Sequence, residues 1–185
     1  MITILDNWYS TNLLNTDYED YISDTLFCND RQLESEVGGE GMGTGFGSSL
    51  TCYAGRHRLE VIETNKTPSL KWGLKNDRFT VDDITIGNGA LTYPIGLLTA
   101  SELSIVGIVN SIQNSTNYLY TNQYWWTFSP EQFAQGEAYF FQASSYGNIN
   151  DNSPRFTSGV RPVINLKPVT LFSGSGTIAD PYIVE

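Results

Sequence analysis

The stretch Tyr-Trp-Trp-Thr-Phe-Ser-Pro at residues 124–130 constrains the fold of this chain more than any other feature. Aromatic and β-branched side chains favour strands, and successive side chains of a strand point to opposite faces. The alternation therefore places Trp126 and Phe128 on one face and Trp125 on the other. We expect Trp126 and Phe128 to face the core. Trp125 is expected to look outward or toward a neighbouring loop, where its ring can contact a ligand, and Ser129-Pro130 is expected to end the strand.

The remaining elements predict helices early in the chain and a sheet late in it. Apolar residues at helical spacing predict an amphipathic helix at residues 2–13. Thr99 and Glu102 have the spacing of a capping box, which predicts a helix beginning after Thr99. The segments EAYFFQASS (137–145) and GVRPVINLK (159–167) predict two more strands, with residues 146–158 as a loop between them. These elements indicate an α+β fold, and residues 1–185 are the size of one domain.

Composition narrows the class of partner. The formal net charge of −10 argues against nucleic acid or an anionic membrane as the main partner. Tyr, Asn, Ser, Thr and Gly crowd the loops, which is typical of recognition surfaces and also of any loop-rich β domain. No apolar run approaches the roughly 20 residues of a membrane span. The start MITILDNWYS lacks the pattern of a signal peptide, so an exported chain would carry its signal upstream.

Motifs for catalysis are weak throughout the sequence. His57 is the only histidine, it lies between two arginines, and no Gly-x-Ser-x-Gly motif surrounds a serine. The spacings of zinc sites are absent, and Cys28 and Cys52 are compatible with one disulfide or with two thiols. The glycine-rich stretch at residues 37–49 lacks the ending of a phosphate loop and is interpreted as a mobile excursion. We therefore do not expect an enzyme.

The asparagine-rich loop offers the oxygen ligands that calcium prefers. Its candidate ligands are Asn148, Asn150, Asp151, Asn152 and Ser153. We take Asn150 and Asp151 as the candidate metal ligands. The alternative is a plain asparagine-rich turn, because asparagine is common in turns without any metal.

Three pieces of the sequence occur in an informative order. They are YPIGLLTASEL (93–103), YWWTFSP followed by AYFFQASSYGN, and GVRPVINL near the end. This order resembles domains of bacterial and phage surface proteins with the pattern RLPT-x-x-E, YWSST, A-Y-x-F and G-x-R-x-V. The resemblance covers the C-terminal half of the chain well and the N-terminal half weakly. The chain departs from the pattern where Trp-Thr-Phe-Ser replaces Trp-Ser-Ser-Thr and where no Arg precedes the Pro of YPIG.

The domains that the chain resembles have a C-type-lectin-like fold. They belong to the branch with formylglycine-generating-enzyme-like proteins and the variable proteins of diversity-generating retroelements. The catalytic cysteines of that enzyme lie near the C-terminal end of its domain, where this chain has none. In retroelement-diversified proteins the varied residues lie just before the final strand, as residues 146–156 do here. The resemblance thus implies a C-type-lectin-like fold with N-terminal helices and a late antiparallel sheet.

The resemblance also implies a function and a location. We expect a non-catalytic recognition module of a bacterial or phage surface protein, carried at the cell or virion surface as part of a longer exported chain. Its partner would be a host or cell-surface protein or a glycan, with no cofactor other than calcium. The candidate ligand-binding residues are Trp125, Tyr146, Asn148, Asn150, Asp151, Asn152, Arg155 and Phe156. The alternatives are a structural subunit of a surface appendage and, less favoured, a formylglycine-generating-like enzyme.

Overall fold

A computed structural model describes residues 2–37, 50–61, 66–168, 170, 172–177 and 179–184. Residues 38–49 lie outside the described residues, and so does the prediction that they are mobile. The α-helices are α1 (Ile2–Asn12), α2 (Ala54–Arg56), which continues into a π turn (His57–Val61), and α3 (Ala100–Ile105). Short 3-10 turns lie at Glu19–Tyr21, Glu34–Val37 and Lys75–Asp77. The strands are β1 (Phe27–Cys28), β2 (Leu50–Cys52), β3 (Arg78–Phe79), β4 (Trp125–Ala134), β5 (Glu137–Ala143), β6 (Ile149–Asn152), β7 (Phe172–Ser173) and β8 (Ile183–Val184). Helices and antiparallel strands both occur, and three of the four strands of the largest sheet follow α3, so the α+β prediction is confirmed at the level of fold class.

The largest sheet has four antiparallel strands in the order β2-β4-β5-β6. The β4–β5 hairpin turns at Gln135 and Gly136, both of which have positive φ (54° and 80°). Two central residues with positive φ match the right-handed twist of the strands that they join. The predicted strand in EAYFFQASS is confirmed as β5.

Strand β4 is longer than predicted. It continues through Ser129 and Pro130 to Ala134, so the expectation that Ser-Pro ends the strand is wrong. The pairing with β5 is irregular on both sides of Pro130, between Trp126 and Pro130 and between Pro130 and Gln132. Proline has no N–H to donate to a ladder, and within sheets it is found at such irregular positions.

Two further strand predictions need correction. Residues 149–152, which were expected in a loop, form β6 and pair with β5. Residues 159–167, which were expected to be a strand, make only isolated bridges through Gly159, Val163 and Leu166. These bridges reach three separate segments of the chain. Residues 159–167 therefore contact several elements but do not form a strand of the sheet.

The main sheet separates two hydrophobic cores. The α3 core comprises Leu59, Ala100, Leu103, Ile108, Leu119, Trp125, Phe141, Ala143 and Ile149. The α1 core comprises Leu5, Tyr9, Leu13, Ile22, Ile95, Leu97 and Trp126, with Phe128 and Phe140 among the side chains packed against it. The expectation that Trp126 and Phe128 face the core is confirmed, and the sheet is covered on both of its faces.

Both predicted helices form. In α1, Leu5 and Tyr9 are buried, and the Tyr9 ring stacks on Tyr93 with centroids 4.8 Å apart. The capping box of α3 is confirmed. Glu102 N donates to Thr99 Oγ1 at 3.1 Å, and Thr99 N donates to Glu102 Oε2 at 2.6 Å. The reciprocal bonds satisfy two N–H groups that the first turn of a helix otherwise leaves unpaired.

Cys28 and Cys52 are both buried and carry free thiols, so the structure contains no disulfide between them. Among the described residues, no helix is both long enough and apolar enough to cross a membrane.

Candidate functional site

The turn at residues 144–148 joins β5 to β6 and presents Tyr146. Ser144 N donates to the Asn148 carbonyl at 2.8 Å, and Gly147 N donates to the Ser144 carbonyl at 3.1 Å. The Ser144 hydroxyl also hydrogen-bonds Asn148 Oδ1, so the Asn148 side chain braces the turn. Tyr146 lies at the tip and is 58% exposed. The turn is therefore ordered by its own polar groups and leaves one large ring in solvent.

This turn packs against the loop at residues 106–124. Gly147 has φ +78°, and a Cβ at this position would lie 2.4 Å from the carbonyl oxygen of Asn114. Only glycine adopts this conformation at no steric cost and allows so close an approach. On the following strand, Ile149 N donates to the Val109 carbonyl at 3.4 Å. The turn and the loop are therefore in direct backbone contact.

The 106–124 loop contains no charged residue. The Asn117 amide donates to the Val106 carbonyl at 2.6 Å, and the Asn114 amide donates to the Gly107 carbonyl at 3.1 Å. Such local bonds from asparagine side chains stabilise irregular backbone. The loop exposes Tyr118, which is 73% accessible, and Ile112. We call the exposed side chains Ile112, Tyr118 and Tyr146 the tyrosine surface.

Ile112 and Tyr118 are not among the candidate binding residues that the motifs of the sequence suggested. A signal was present in the sequence, because residues 106–124 combine three tyrosines with many asparagines and no charge. Tyrosine offers a large contact area at a low entropy cost, and asparagine adds adaptable hydrogen bonds. The composition of this one segment is more informative than the composition of the whole chain.

Trp125 does not look outward into solvent, so the expectation of an exposed ring is wrong. It is 4% exposed and belongs to the α3 core. The Arg161 guanidinium lies over its ring at 5.4 Å from the centroid, and Arg161 Nη1 donates to the Leu119 carbonyl at 2.7 Å. Alternation predicts an outward ring only when one face of a sheet is solvated, and here both faces are covered. Through this hydrogen bond, Arg161 connects residues 159–167 to the loop that carries Tyr118.

The predicted calcium ligands Asn150 and Asp151 are neighbours on β6, with Asn152 following them. Adjacent residues of a strand point to opposite faces, so the side chains of Asn150 and Asp151 diverge. Asp151 pairs with Phe141, which lies in the α3 core, whereas Asn150 pairs with Gln142. Within the described parts of the chain, no group of three His, Cys, Asp or Glu residues is placed to hold a metal ion. Calcium binding stays a prediction that rests on the sequence.

Arg155 is engaged with the β4–β5 hairpin. Its Nη2 donates to Glu137 Oε2 at 2.7 Å, and its Nε lies 2.5 Å from Glu137 Oε1. The hydrogen bond from the Ser153 hydroxyl and the contact with the Arg155 guanidinium lower the pKa of Glu137. The charge of Arg155 is therefore compensated within the chain, although the side chain itself remains exposed.

Phe156 lies on the wall of a groove on the other face of the sheet, and its side chain is 60% exposed. The groove has a volume of about 330 Å³ and contains no charged side chain in its lining. Its lining residues are Ile4, Trp126, Phe140, Pro154, Phe156, Thr157, Ser158 and Val160, and we call it the aromatic groove. Phe140 also lines a neighbouring cavity of about 230 Å³ beside Ile2 and Phe79.

The structure thus distributes the predicted binding residues over different places. Tyr146 and Asn148 lie together in the turn next to the 106–124 loop, Phe156 lies at the aromatic groove, and Trp125 is in a core. Comparison of the chain with protein-family models, with curated proteins and with solved structures finds no match.

Proposed function

We propose that this chain is a non-catalytic recognition module that binds a protein partner through the tyrosine surface. The observation that carries the proposal is the exposure of Tyr118 and Tyr146 on an ordered and uncharged pair of segments. Rings held in this way bury a large area on binding without paying much side-chain entropy. The charged residues that give the net charge of −10 lie outside these two segments. Contact at the tyrosine surface therefore depends on aromatic packing and amide hydrogen bonds.

The fold that we propose is C-type-lectin-like, and the module would belong to an exported bacterial or phage surface protein. Support comes from the order of the sequence pieces, from the helix that begins at the Thr99 capping box, and from the late antiparallel sheet. Residues 146–156, the stretch that would vary in a diversified protein, begin at the tip of the turn and end at the aromatic groove. Loops held on a rigid sheet are where recognition residues concentrate.

A binding array tests the proposal. The purified chain is applied to arrays of host-surface proteins and of glycans, with calcium and with chelator, beside the double variant Tyr118→Ser/Tyr146→Ser. Tyr18→Ser is the matched control, because Tyr18 is also exposed but lies in the N-terminal segment. We expect a protein ligand whose binding is lost only in the double variant. Equal binding by the double variant and the control would contradict the proposal. Binding to glycans alone would show that the ligand is a sugar and not a protein.

A second candidate function is that of an assembly subunit with no separate ligand. It is favoured by exposed apolar side chains of α1, because Ile4 and Trp8 lie one turn apart on the same face and Ile4 lines the aromatic groove. Exposed apolar patches mark interaction sites. Self-association at micromolar concentration in sedimentation velocity, weakened by Ile4→Ser together with Phe156→Ser, would support this function. A chain that remains monomeric at all concentrations would contradict this second candidate function.

A further inference from the structure

The aromatic groove combines three aromatic rings with a small set of polar atoms. Trp126 is buried at its base, Phe140 is half-buried, and Phe156 is 60% exposed on its wall. Its volume of about 330 Å³ lies near the lower end of small-molecule sites, which span about 300–1,000 Å³. The groove is therefore large enough for a ligand built on a single ring.

One corner of the groove is polar and rests on a buried amide. The Ser158 hydroxyl, which lines the groove, donates to Gln142 Oε1 at 2.8 Å. Gln142 is 1% exposed, and it pairs with Trp126 on β4 and with Asn150 on β6. Directly paired residues of a sheet point to the same face, so these side chains lie side by side on the face that carries the groove. We call Ser158, Gln142 and Asn150 the polar corner.

The hydrogen bond to Gln142 determines what Ser158 can offer to a ligand. A hydroxyl group has one proton to donate and two lone pairs that accept. Because the Ser158 proton is donated to Gln142, Ser158 can only accept a hydrogen bond from a ligand. Gln142 Nε2 and Asn150 Oδ1 are buried and meet no partner among the described residues, so the polar corner keeps further capacity for hydrogen bonds. A hydroxyl group on a ligand, which both donates and accepts, matches this corner.

Other kinds of ligand fit the groove less well. The lining contains no charged side chain, and Arg155, which precedes Phe156, is already paired with Glu137. A charged ligand would thus lose its hydration without gaining a counter-ion. A sugar carries several hydroxyl groups, which need more polar partners than Thr157 and Ser158 in the lining supply. A plain acyl chain would cover the polar corner without satisfying it, which is costly.

We propose that the aromatic groove binds a small neutral molecule that carries one aromatic ring and a hydroxyl group, as a phenol does. The ring packs against Trp126, Phe140 and Phe156, and the hydroxyl donates to Ser158 Oγ. This bond continues through Ser158 to the buried Gln142, and consecutive hydrogen bonds of this kind strengthen one another. A phenol is neutral at pH 7, because its pKa is about 10. The site is separate from the tyrosine surface and does not depend on the function proposed there.

A fluorine NMR titration of the chain tests the proposal, with para-fluorophenol as the probe. We expect saturable binding with a dissociation constant of about 1 mM or lower, a modest affinity for a ligand of this size. The ether para-fluoroanisole has the same ring and oxygen but no proton to donate. It should bind at least about fivefold more weakly, because it leaves Ser158 without a donor. The charged para-fluorobenzoate should also bind more weakly than para-fluorophenol, because the lining offers no cation.

Two variants locate the site. Phe156→Ser should weaken para-fluorophenol binding several-fold, because it removes an exposed wall of the groove. Ser158→Ala should abolish the preference for para-fluorophenol over para-fluoroanisole, because it removes the acceptor of the donated proton. Tyr18→Ser is the matched control, since Tyr18 is 60% exposed like Phe156 but lies outside the groove. This control should bind both probes as the wild-type chain does.

Several results would overturn the proposal. Para-fluorophenol that does not bind saturably, or that binds Phe156→Ser as tightly as the wild-type chain, would exclude the groove as its site. Equal affinity of the wild-type chain for para-fluorophenol and para-fluoroanisole would show a purely apolar occupant. Self-association that excludes the probe in sedimentation velocity would show that a second copy covers the groove. If Ser158→Ala does not fold, the comparison of the two probes on the wild-type chain and on Phe156→Ser decides.

Discussion

Trp125 and Trp126 are neighbours in the chain but pack into different hydrophobic cores on opposite faces of β4. Trp125 packs in the α3 core beneath Arg161, and Trp126 packs in the α1 core and forms part of the aromatic groove. Strand β4 thus contributes side chains to both hydrophobic cores. It also connects the loop that carries Tyr118 to the groove that carries Phe156.

Replacement of either tryptophan should therefore destabilise the protein strongly. We expect Trp125→Ala and Trp126→Ala each to lower the free energy of unfolding by about 3–5 kcal/mol, because each leaves a large cavity in a packed core. Denaturant unfolding measures the change, with Tyr118→Ala as the exposed aromatic control, for which the change should stay within about 0.5 kcal/mol. A Trp125→Ala variant as stable as the control would place that ring outside the core.

Removal of the α3 cap should lower the free energy of unfolding less than the replacement of either tryptophan does. Thr99→Ala removes the acceptor for Glu102 N and should lower the free energy of unfolding by about 0.5–2 kcal/mol. Glu102→Gln keeps a side-chain oxygen that can accept the hydrogen bond from Thr99 N. It should therefore lower the free energy of unfolding less than Thr99→Ala. Thermal unfolding of both variants checks the order, and the opposite order would show that the charge of Glu102 matters more than the reciprocal bonds.

Gly147 should be essential for the geometry of the tyrosine surface. Gly147→Ala would combine a positive φ with a Cβ placed against the backbone of Asn114. We expect a destabilisation of about 1–3 kcal/mol and movement of the turn that carries Tyr146. Unfolding measurements give the first quantity, and NMR shifts of the 144–148 and 106–124 amides report the second. Gly136→Ala is a useful comparison, because it has positive φ but no atom within 4 Å of the added Cβ.

Both cysteines should be free and slow to react in the folded protein. Burial raises the pKa of the Cys28 thiol and also that of the Cys52 thiol, so the nucleophilic thiolate is scarce at neutral pH. Mass spectrometry after alkylation should find two thiols modified in denaturant and little modification under native conditions. Recovery of a disulfide-linked peptide from the native protein would contradict the structure.

Overall stability should fall as pH rises from about 5 to about 9. Burial, followed by neighbouring carboxylates, raises the pKa of Glu131 to about 9 and that of Glu60 to about 7, whereas glutamates of the unfolded chain ionise near pH 4.3. Because the folded state binds more protons, the free energy of unfolding decreases with pH. The net negative charge acts in the same direction, so the informative quantity is the difference between the wild-type chain and Glu131→Gln. That difference should shift in favour of the variant as pH rises.

Local patterns predicted several elements correctly because the interactions that form them are local. The spacing of Leu5 and Tyr9 indicated α1, and Thr99 with Glu102 indicated the start of α3, since a cap joins residues only three positions apart. The alternation in residues 124–130 identified β4 and the buried face that holds Trp126. These predictions needed no knowledge of the rest of the fold.

The candidate sites depended on contacts between segments distant in the sequence. The sequence by itself determined that the chain has an early amphipathic helix, a capped α3, a late antiparallel sheet and an acidic, tyrosine-rich surface. Only the tertiary structure decided that Trp125 is buried, that Gly147 meets Asn114, and that the Glu131 side chain is buried. The physical reason is that periodicity distinguishes the two faces of a strand but carries no information about what covers each face.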